Sequence, residues 1–556
     1  MVDSDSDITV RRRALLVAIG LGSVAAAISI LHSDDQDWSS PGRTNTTETM
    51  SDSQSSTLSG IDYPIRIAEN YVIGTADGRP APDEATGVIW EVVAPDAGTV
   101  RRTISDGEAW KTLNVETDVA ETGQLNRWTF VSPADDLVSA VSGASSGEMI
   151  FLLPGEHTPE SPLTLPRATR LHVSAGATLL APTLEAEQRF VRIRNDNCAL
   201  TGRGVIDGNR NGDQPLDSRG QEHIVDVRSD GDDMIRNCLL EGPHLRQAPG
   251  GDCLYINGAR NMVARNFVAE GGYRNGVSII DASAVTLKRF VVRDAAGTPP
   301  ESGIVVEPNG DTQSIRGLEI GGFESTANGR NGLVINTERL SPQATTTINI
   351  RDGRCTDNGW DGVRLTRAVR GTRILFHDCL ARENGGAGFN LGAATNTYLY
   401  GTEASNNGQT RRGETEPVGY LAGSFDGESA SGLHVVNAVA RDDQSQPTQT
   451  VPMLVRGGAN VTVSGMQIGT HSDDARIRLE DGQLRPDGVF STESNDPIRA
   501  VGGRVLGTAC YPRVVSHSER PTPGPGELVV WDPADGDGNH VLVYNDSGTV
   551  FTIGRE

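Results

Sequence analysis

The sequence predicts an all-β fold, a parallel β-helix, and three observations carry that prediction. The first is a recurring phrase of a small polar residue, Gly or another small residue, an apolar residue, a variable one and a second apolar one. It reads Asp252-Cys253-Leu254-Tyr255-Ile256, Asn275-Gly276-Val277-Ser278-Ile279 and Ser302-Gly303-Ile304-Val305-Val306. It continues as Asn331-Gly332-Leu333-Val334-Ile335, Asp361-Gly362-Val363-Arg364-Leu365, Ala387-Gly388-Phe389-Asn390-Leu391 and Ser431-Gly432-Leu433-His434-Val435. The second is the spacing: successive starts differ by 23, 27, 29, 30 and 26 residues (252, 275, 302, 331, 361, 387), and the last, at 431, by 44. A period in that range marks a solenoid. The third is the alternation of apolar residues within each phrase, the period of a strand.

Further alternating runs precede most phrases: Asn261 to Val268, Ala284 to Val292 and Thr372 to Phe376. Several short strands per coil, with Gly and Asn between them, build a helix of strands, because both residues tolerate the positive φ of tight corners. Leu254 and Ile256, Val277 and Ile279, Ile304 and Val306 are expected to point inward, and the residue between each pair outward.

Taken from its start, the chain opens with Val10-Arg11-Arg12-Arg13 and an apolar run from Ala14 to Leu31. Residues 1–31 read as a twin-arginine export signal or a membrane anchor, the run of 14–31 lying at the lower edge of spanning length. Residues 32–60 are rich in Ser, Thr, Asp and Gly and read as a disordered linker. Residues 61–130 form a small β module with Gly87 to Val93, Thr99 to Ile104 and a strand near Trp110. Residues 506–556 repeat its plan: Arg520-Pro521-Thr522-Pro523 matches Arg79-Pro80-Ala81-Pro82, and Gly526 to Asp532, His540 to Asn545 and Ser547 to Phe551 follow as strands. Between the modules, residues 131–505 form the β-helix. It begins with a capped amphipathic helix over Ser132 to Val141 and a strand over Met149 to Leu153.

Thr201-Gly202-Arg203-Gly204-Val205-Ile206-Asp207-Gly208-Asn209, the strand phrases and Gly297 to Asn309 together resemble the right-handed parallel β-helix superfamily of pectate lyases and polygalacturonases. The resemblance spans roughly residues 133 to 505 and implies a right-handed, single-stranded parallel β-helix with an N-terminal capping helix and small flanking β-hairpin modules. The terminal modules are similar to hairpin modules of phage tail fibres, a likeness that admits assembly as a homotrimer. The superfamily includes lyases, hydrolases, epimerases and non-catalytic spikes, so likeness of fold assigns no reaction. The polygalacturonase pattern is incomplete: Gly251-Asp252-Cys253 keeps one Asp of a pair, and Gly-His-Gly is missing. The epimerase motif Asp-Pro-His is also missing.

Composition narrows the partner. The net charge is −24, from 73 acidic and 49 basic residues. Only Lys111 and Lys288 are lysines. An acidic, Lys-poor surface opposes nucleic acid and anionic lipid and reads as adaptation to high salt or as a face for a cationic partner. The six cysteines, Cys198, Cys238, Cys253, Cys355, Cys379 and Cys510, form no C-x-x-C pair and read as buried thiols.

The outward face is expected to carry Asp252, Tyr255, Asn257, Asn275, Ser278, Glu307, Asn336, Arg364 and Asn390, with Tyr273, Arg274, Asp281, Asp294, Glu301 and Arg330 on turns beside it. Such a groove suits a uronate-containing polysaccharide: amides bond hydroxyls, Tyr stacks on rings and Arg grips carboxylates. A hydrolase would use Asp252 and Glu307 as its two carboxylates, two coils apart at roughly 9–10 Å. A lyase would draw the C5 proton with Arg274 or Tyr273, with Asp252, Asp281 and Glu307 holding Ca²⁺. Tyr255, Asn257, Asn275, Ser278, Asn336 and Arg364 would bind the chain of sugars. A glycan-binding surface or fibre protein without catalysis is the alternative.

Overall fold

The computed structural model describes residues 128–506 apart from 211–220, 232, 342–343, 345, 368–371, 410–415, 475 and 492–496, together with the strands of two flanking sheets. Each turn of the coil passes through three walls. Val263–Arg265 lies in the first, Val268–Glu270 in the second and Asn275–Ser283 in the third. The first two walls merge into one 26-stranded sheet, because Thr286–Arg293 and Leu318–Thr326 run through both. The third is a 15-stranded sheet. Two of its strands, Ile235–Arg236 and Ile315–Arg316, pair off the main path, and the other thirteen stack from Leu163–Leu165 to Ile498–Ala500. Every pairing on that path is parallel.

The apolar positions stack as the alternation predicts. Leu254, Val277, Ile304 and Leu333 lie in register in successive rungs, as do Ile256, Ile279, Val306 and Ile335, and all are buried. Each such side chain removed from water stabilises the coil by about 1.5–3 kcal/mol. Aromatic rings join the inner stacks: Phe267 on Phe290 at 4.8 Å, Phe290 on Phe323 at 5.7 Å and Phe389 on Tyr420 at 5.1 Å. Asn and Asp turn the chain between walls at positive φ, as Asn266 (55°), Asp378 (52°), Asn406 (56°) and Asn437 (52°) do. The five described cysteines, Cys198, Cys238, Cys253, Cys355 and Cys379, are buried free thiols; Cys510 lies outside the described residues.

The glycine of the phrase has a packing cause. Between the second and third walls runs a ladder of buried amides, Asn328, Asn358, Asn384, Asn407 and Gln449, each hydrogen-bonded to the next at 2.8–3.0 Å. A Cβ on Gly362 would stand 2.8 Å from the Asn384 amide nitrogen, and one on Gly332 2.9 Å from that of Asn358. The ladder passes where those side chains would be, so only glycine fits there.

One phrase was assigned to the wrong wall by its spacing. Ser431–Val436 belongs to the first wall, between Thr395–Tyr400 and Ala459–Ser464. The third wall continues from Phe389–Leu391 to Tyr420–Ala422 and Met453–Val455. The 44-residue step therefore joined two walls, and His434 stacks on Tyr398 at 4.7 Å, away from the predicted groove.

The capping helix spans Leu137–Ser142. Asp136 caps it by accepting from the Ser139 N–H at 3.0 Å, and Leu137 and Val141 are buried. It packs on Leu163–Leu165, the first rung of the third wall, and so covers the apolar end of the coil. Two compact units divide the chain: residues 1–128 with 147–149, and residues 129–146 with 150–556. In the first unit, Tyr71–Gly74 pairs parallel with Ile89–Ala94, and Thr99–Ser105 and Trp110–Thr112 follow antiparallel. Near the C-terminus the same order recurs: Arg513–His517 parallel to Leu528–Pro533, then Val541–Asp546 and Thr549–Arg555 antiparallel. The leader at 1–31 and the linker at 32–60 lie outside the described residues, as do the side chains of both modules. Among the described residues no helix is long and apolar enough to cross a membrane.

Candidate functional site

The third wall carries two polar columns at its early rungs. The first stands where each rung begins: His223, Asp252, Asn275, Ser302, Asn331 and Asp361, all buried. Here the chain turns onto the wall, and a side chain takes the place of a ladder carbonyl. The Asp252 N–H donates to His223 Nδ1 at 2.9 Å, the Asn275 N–H to Asp252 Oδ1 at 2.9 Å, and the Ser302 N–H to Asn275 Oδ1 at 3.2 Å. The Asp361 N–H donates to Asn331 Oδ1 at 3.3 Å, and the Ala387 N–H to Asp361 Oδ1 at 2.9 Å.

The second column is the outward one. In register it runs Arg192, Asp226, Tyr255, Ser278, Val305, Val334, Arg364 and Asn390. Asp226 is fully buried beneath arginines. Arg194 bonds its Oδ2, Arg228 Nε lies 3.4 Å from Oδ1, and Arg189 Nε lies 3.8 Å from Oδ2. One carboxylate thus faces three guanidiniums. Arg194 has a second anion, Asp230 at 3.1 Å, which is exposed. Arg228 also lies over the Tyr255 ring, 5.0 Å from its centroid, and Tyr255 stacks on His223 at 4.3 Å and 12°. An open recess lined by Arg194, Ser229, Asp230, Asp233 and Arg236 adjoins the cluster.

The cluster leaves polar atoms without partners. Among the described residues, His223 Nε2, Asp252 Oδ2, Asp226 Oδ1, and Nε of Arg189, Arg192 and Arg228 are buried and make no hydrogen bond. The Arg228 contact to Asp226 Oδ1 is within ion-pair reach but not aligned for a bond. Burial and the neighbouring Arg228 push the Arg189 pKa down. Burial, then Arg189 and Arg228, hold His223 far below the usual imidazole range, so it is neutral. Because its Nδ1 accepts a backbone N–H, the proton is on Nε2, which is an unused donor. Burial raises the Tyr255 pKa, keeping the phenol protonated. The whole arrangement is a cationic, donor-rich patch in a chain of net charge −24.

The sequence-predicted residues divide between this cluster and other places. Asp252, Tyr255, Asn275 and Ser278 come together, and the charge of Arg274 acts on both Asp252 and His223. Asn257 stands in register with Arg228. Tyr273, half-buried, lies on the corner beside Arg274 with Arg210 6.0 Å from its ring centroid.

Glu307 and Asp252 are not a catalytic pair. Asp252 is in register with Asn275 and Ser302, and Glu307 follows five residues after Ser302, about 16 Å further along the strand. Asp252 is also fully buried as a rung cap. Nor do Asp252, Asp281 and Glu307 converge on a metal. Asp281 Oδ1 accepts from Ser314 N–H at 2.8 Å, Glu307 takes the Asn336 amide at 3.4 Å, and Asp252 is at the opposite end of the wall. Among the described residues no group of three or more His, Cys, Asp or Glu is placed to hold an ion. Asp294 is an exposed corner residue, and Glu301 pairs with Arg330 at 3.3 Å. Arg364 is on the outward column, four rungs from Tyr255.

Sequence reasoning missed His223, Asp226, Arg189, Arg194 and Arg228. Part of the signal was present: Val225-Asp226-Val227 carries the same apolar alternation one rung earlier, in register with Leu254 to Ile256, although His223-Ile224 replaces the small residues that open the phrase. Arg192-Ile193-Arg194 alternates in the rung before that.

Asp252 gives a test of the rung-cap role. Burial raises its pKa to about 6, against the opposing pull of Arg274. A raised carboxyl pKa favours the folded state while protonated. That contribution is complete below the unfolded value of 3.8 and is lost as pH rises through about 6. Asp252→Asn keeps the acceptor for the Asn275 N–H and removes the charge. It is expected to be more stable than wild type at pH 7, by up to about 3 kcal/mol, with the gap closing near the unfolded carboxyl pKa. Thermal melts of both proteins across that range measure it; an unchanging gap contradicts the assignment.

The family model described as "Right handed beta helix region" matches residues 223–407. Among solved structures, the chain is similar to the A-module of the Azotobacter vinelandii mannuronan C-5 epimerase AlgE4, with 17% identity and a TM-score of 0.45, covering 68% of this chain and 97% of that one. The Dettilon tailspike protein gives 13% and 0.42, covering 75% and 76%. An exopolygalacturonase from Thermotoga maritima gives 15% and 0.38, covering 66% and 92%. No curated protein sequence matches. These likenesses carry no assignment of activity.

Proposed function

We propose that this right-handed parallel β-helix acts on an acidic, uronate-containing polysaccharide through the arginine cluster on its third wall. The observation that carries the reading is the crowding of Arg189, Arg194 and Arg228 around one buried carboxylate, with donors left unfilled. Guanidiniums held this way recognise carboxylates in preference to hydroxyls.

The chemistry this favours is removal of the proton at C5 of a uronate. The arginines neutralise the sugar carboxylate, so the C5–H electron pair can delocalise into it as the proton leaves. Tyr273, beside Arg274, takes that proton on its oxygen when it is present as the phenolate, and becomes the neutral phenol. Tyr255, kept protonated by burial, gives one to the oxygen that departs from C4. Elimination then leaves a C4–C5 double bond.

Export is part of the same proposal. Arg11-Arg12-Arg13 and the apolar run from Ala14 to Leu31 would deliver the protein to an external polymer.

Incubation with polyuronates in deuterated water tests the reaction. Ultraviolet absorbance of an unsaturated uronate is the expected result. Deuterium at C5 without absorbance would mark reprotonation in place of elimination. New reducing ends without either would contradict C5 chemistry and restore hydrolysis. Binding with no product at all would support a glycan-binding surface protein.

A further inference from the structure

Four to five rungs beyond the arginine cluster, the edge of the third wall carries a second set of guanidiniums. The edge runs Arg274, Glu301, Arg330, Trp360: Asn275 is in register with Ser302, the Arg330 N–H donates to the Glu301 carbonyl at 2.9 Å, and the Trp360 N–H to the Arg330 carbonyl at 2.8 Å. Arg330 stands 4.3 Å and Arg364 5.7 Å from the centroid of the Trp360 ring. An indole in contact with both guanidiniums restricts them and lowers the entropy lost when they bind an anion.

Neither arginine is saturated. Arg330 has Glu301 at 3.3 Å, and Arg364 reaches Asp361 only at 3.7 Å. Asp361 is itself engaged: Oδ1 takes the Ala387 N–H and Oδ2 the Asn390 amide at 2.9 Å. Each guanidinium has five donors, and among the described residues the ion pairs above engage only part of them. Arg330 and Arg364 are both partly solvent-accessible. Between Tyr255 and Arg364 the outward column is Ser278, Val305 and Val334, a low floor without a charged side chain.

We propose that Arg330, Trp360 and Arg364 form a second carboxylate grip for the same ligand. This rests on the uronate reading of the first cluster and adds the ligand's form. Counted from the rung of Asp226, the second grip stands four rungs away at Arg330 and five at Arg364, about 19 and 24 Å. The ligand is therefore an extended polyuronate lying parallel to the coil axis, with acid groups on sugars several units apart. A single uronate or a chain end reaches only one grip.

Binding of size-fractionated oligouronates to the full-length protein tests this, with Arg364→Ala and Arg330→Ala as variants. Two variants are used because Arg364 neighbours buried Asp361 and its loss could disturb the wall; Arg330 pairs with the partly exposed Glu301. The expected result is affinity that rises at least about tenfold once the chain is long enough to span both grips, about 1.4 kcal/mol. Each variant should remove that rise and leave short-chain affinity unchanged. Affinity independent of length, or a rise that both variants retain, overturns the second grip and leaves the first intact. Absence of binding at every length overturns the uronate reading and this one with it.

Discussion

Replacing Asn384 with alanine is expected to destabilise the coil by about 3–5 kcal/mol. Asn384 is fully buried in the amide ladder. Its Nδ2 donates to Asn407 Oδ1 at 2.9 Å and to the Cys355 carbonyl at 3.0 Å. Its Oδ1 accepts from Asn358 Nδ2 at 2.9 Å and from the Asn358 N–H at 3.1 Å. Alanine would orphan the Asn358 N–H where water does not reach, at about 1–3 kcal/mol, and would take the amide donors and acceptors from Asn358, Asn407 and the Cys355 carbonyl as well. It would also open the space beside Gly362, against which the amide packs. A thermal melt reads the effect, with Asn309→Ala, at an exposed corner, as the control expected to change little. Equal melting of the two variants would contradict the ladder's role.

The second large effect is expected at Asp226. Asp226→Asn keeps the shape and removes the only carboxylate within 4 Å of both Arg189 and Arg228 among the described ion pairs. Three guanidiniums, all mostly buried, would then repel one another. Breaking such a set by deleting one partner costs about 3–5 kcal/mol. Added salt should recover little of it, because buried charges are poorly screened. A carboxylate-bearing ligand should recover more. The variant's melting temperature is expected to rise further with saturating oligouronate than wild type does, since the ligand supplies the missing anion. An equal rise in both would separate Asp226 from the ligand site.

The fold was legible because its signal is local and repeated. Leu254, Val277 and Ile304 alternate with outward residues over short strands, and a repeat near 27 residues leaves room for three walls. The phrase glycines were also visible, although their cause, the amide ladder against Gly332 and Gly362, depends on which residues meet across the corner. The site was less legible for the same reason. Asp252 and Glu307 share a sequence neighbourhood, but a strand places them at opposite ends of one wall, and distance along a rung matters as much as the number of rungs. Asp252 was read as outward from its phrase, yet the corner turns it into a cap. His223 and Asp226 were hidden because His223-Ile224 lacks the two small residues that open the other phrases, although its step of 29 residues to Asp252 (252 − 223) fits the period. Ser431 failed in the opposite way: it matched the phrase but sits on another wall.

The claim on which the functional account depends is that the third wall recognises carboxylates. Calorimetric titration with a polyuronate, and with the same polymer after its carboxyl groups are reduced to alcohols, tests it most directly. Saturable binding of the acidic form and none of the reduced form is the predicted result. Equal binding of both, or binding of the reduced polymer alone, would contradict it.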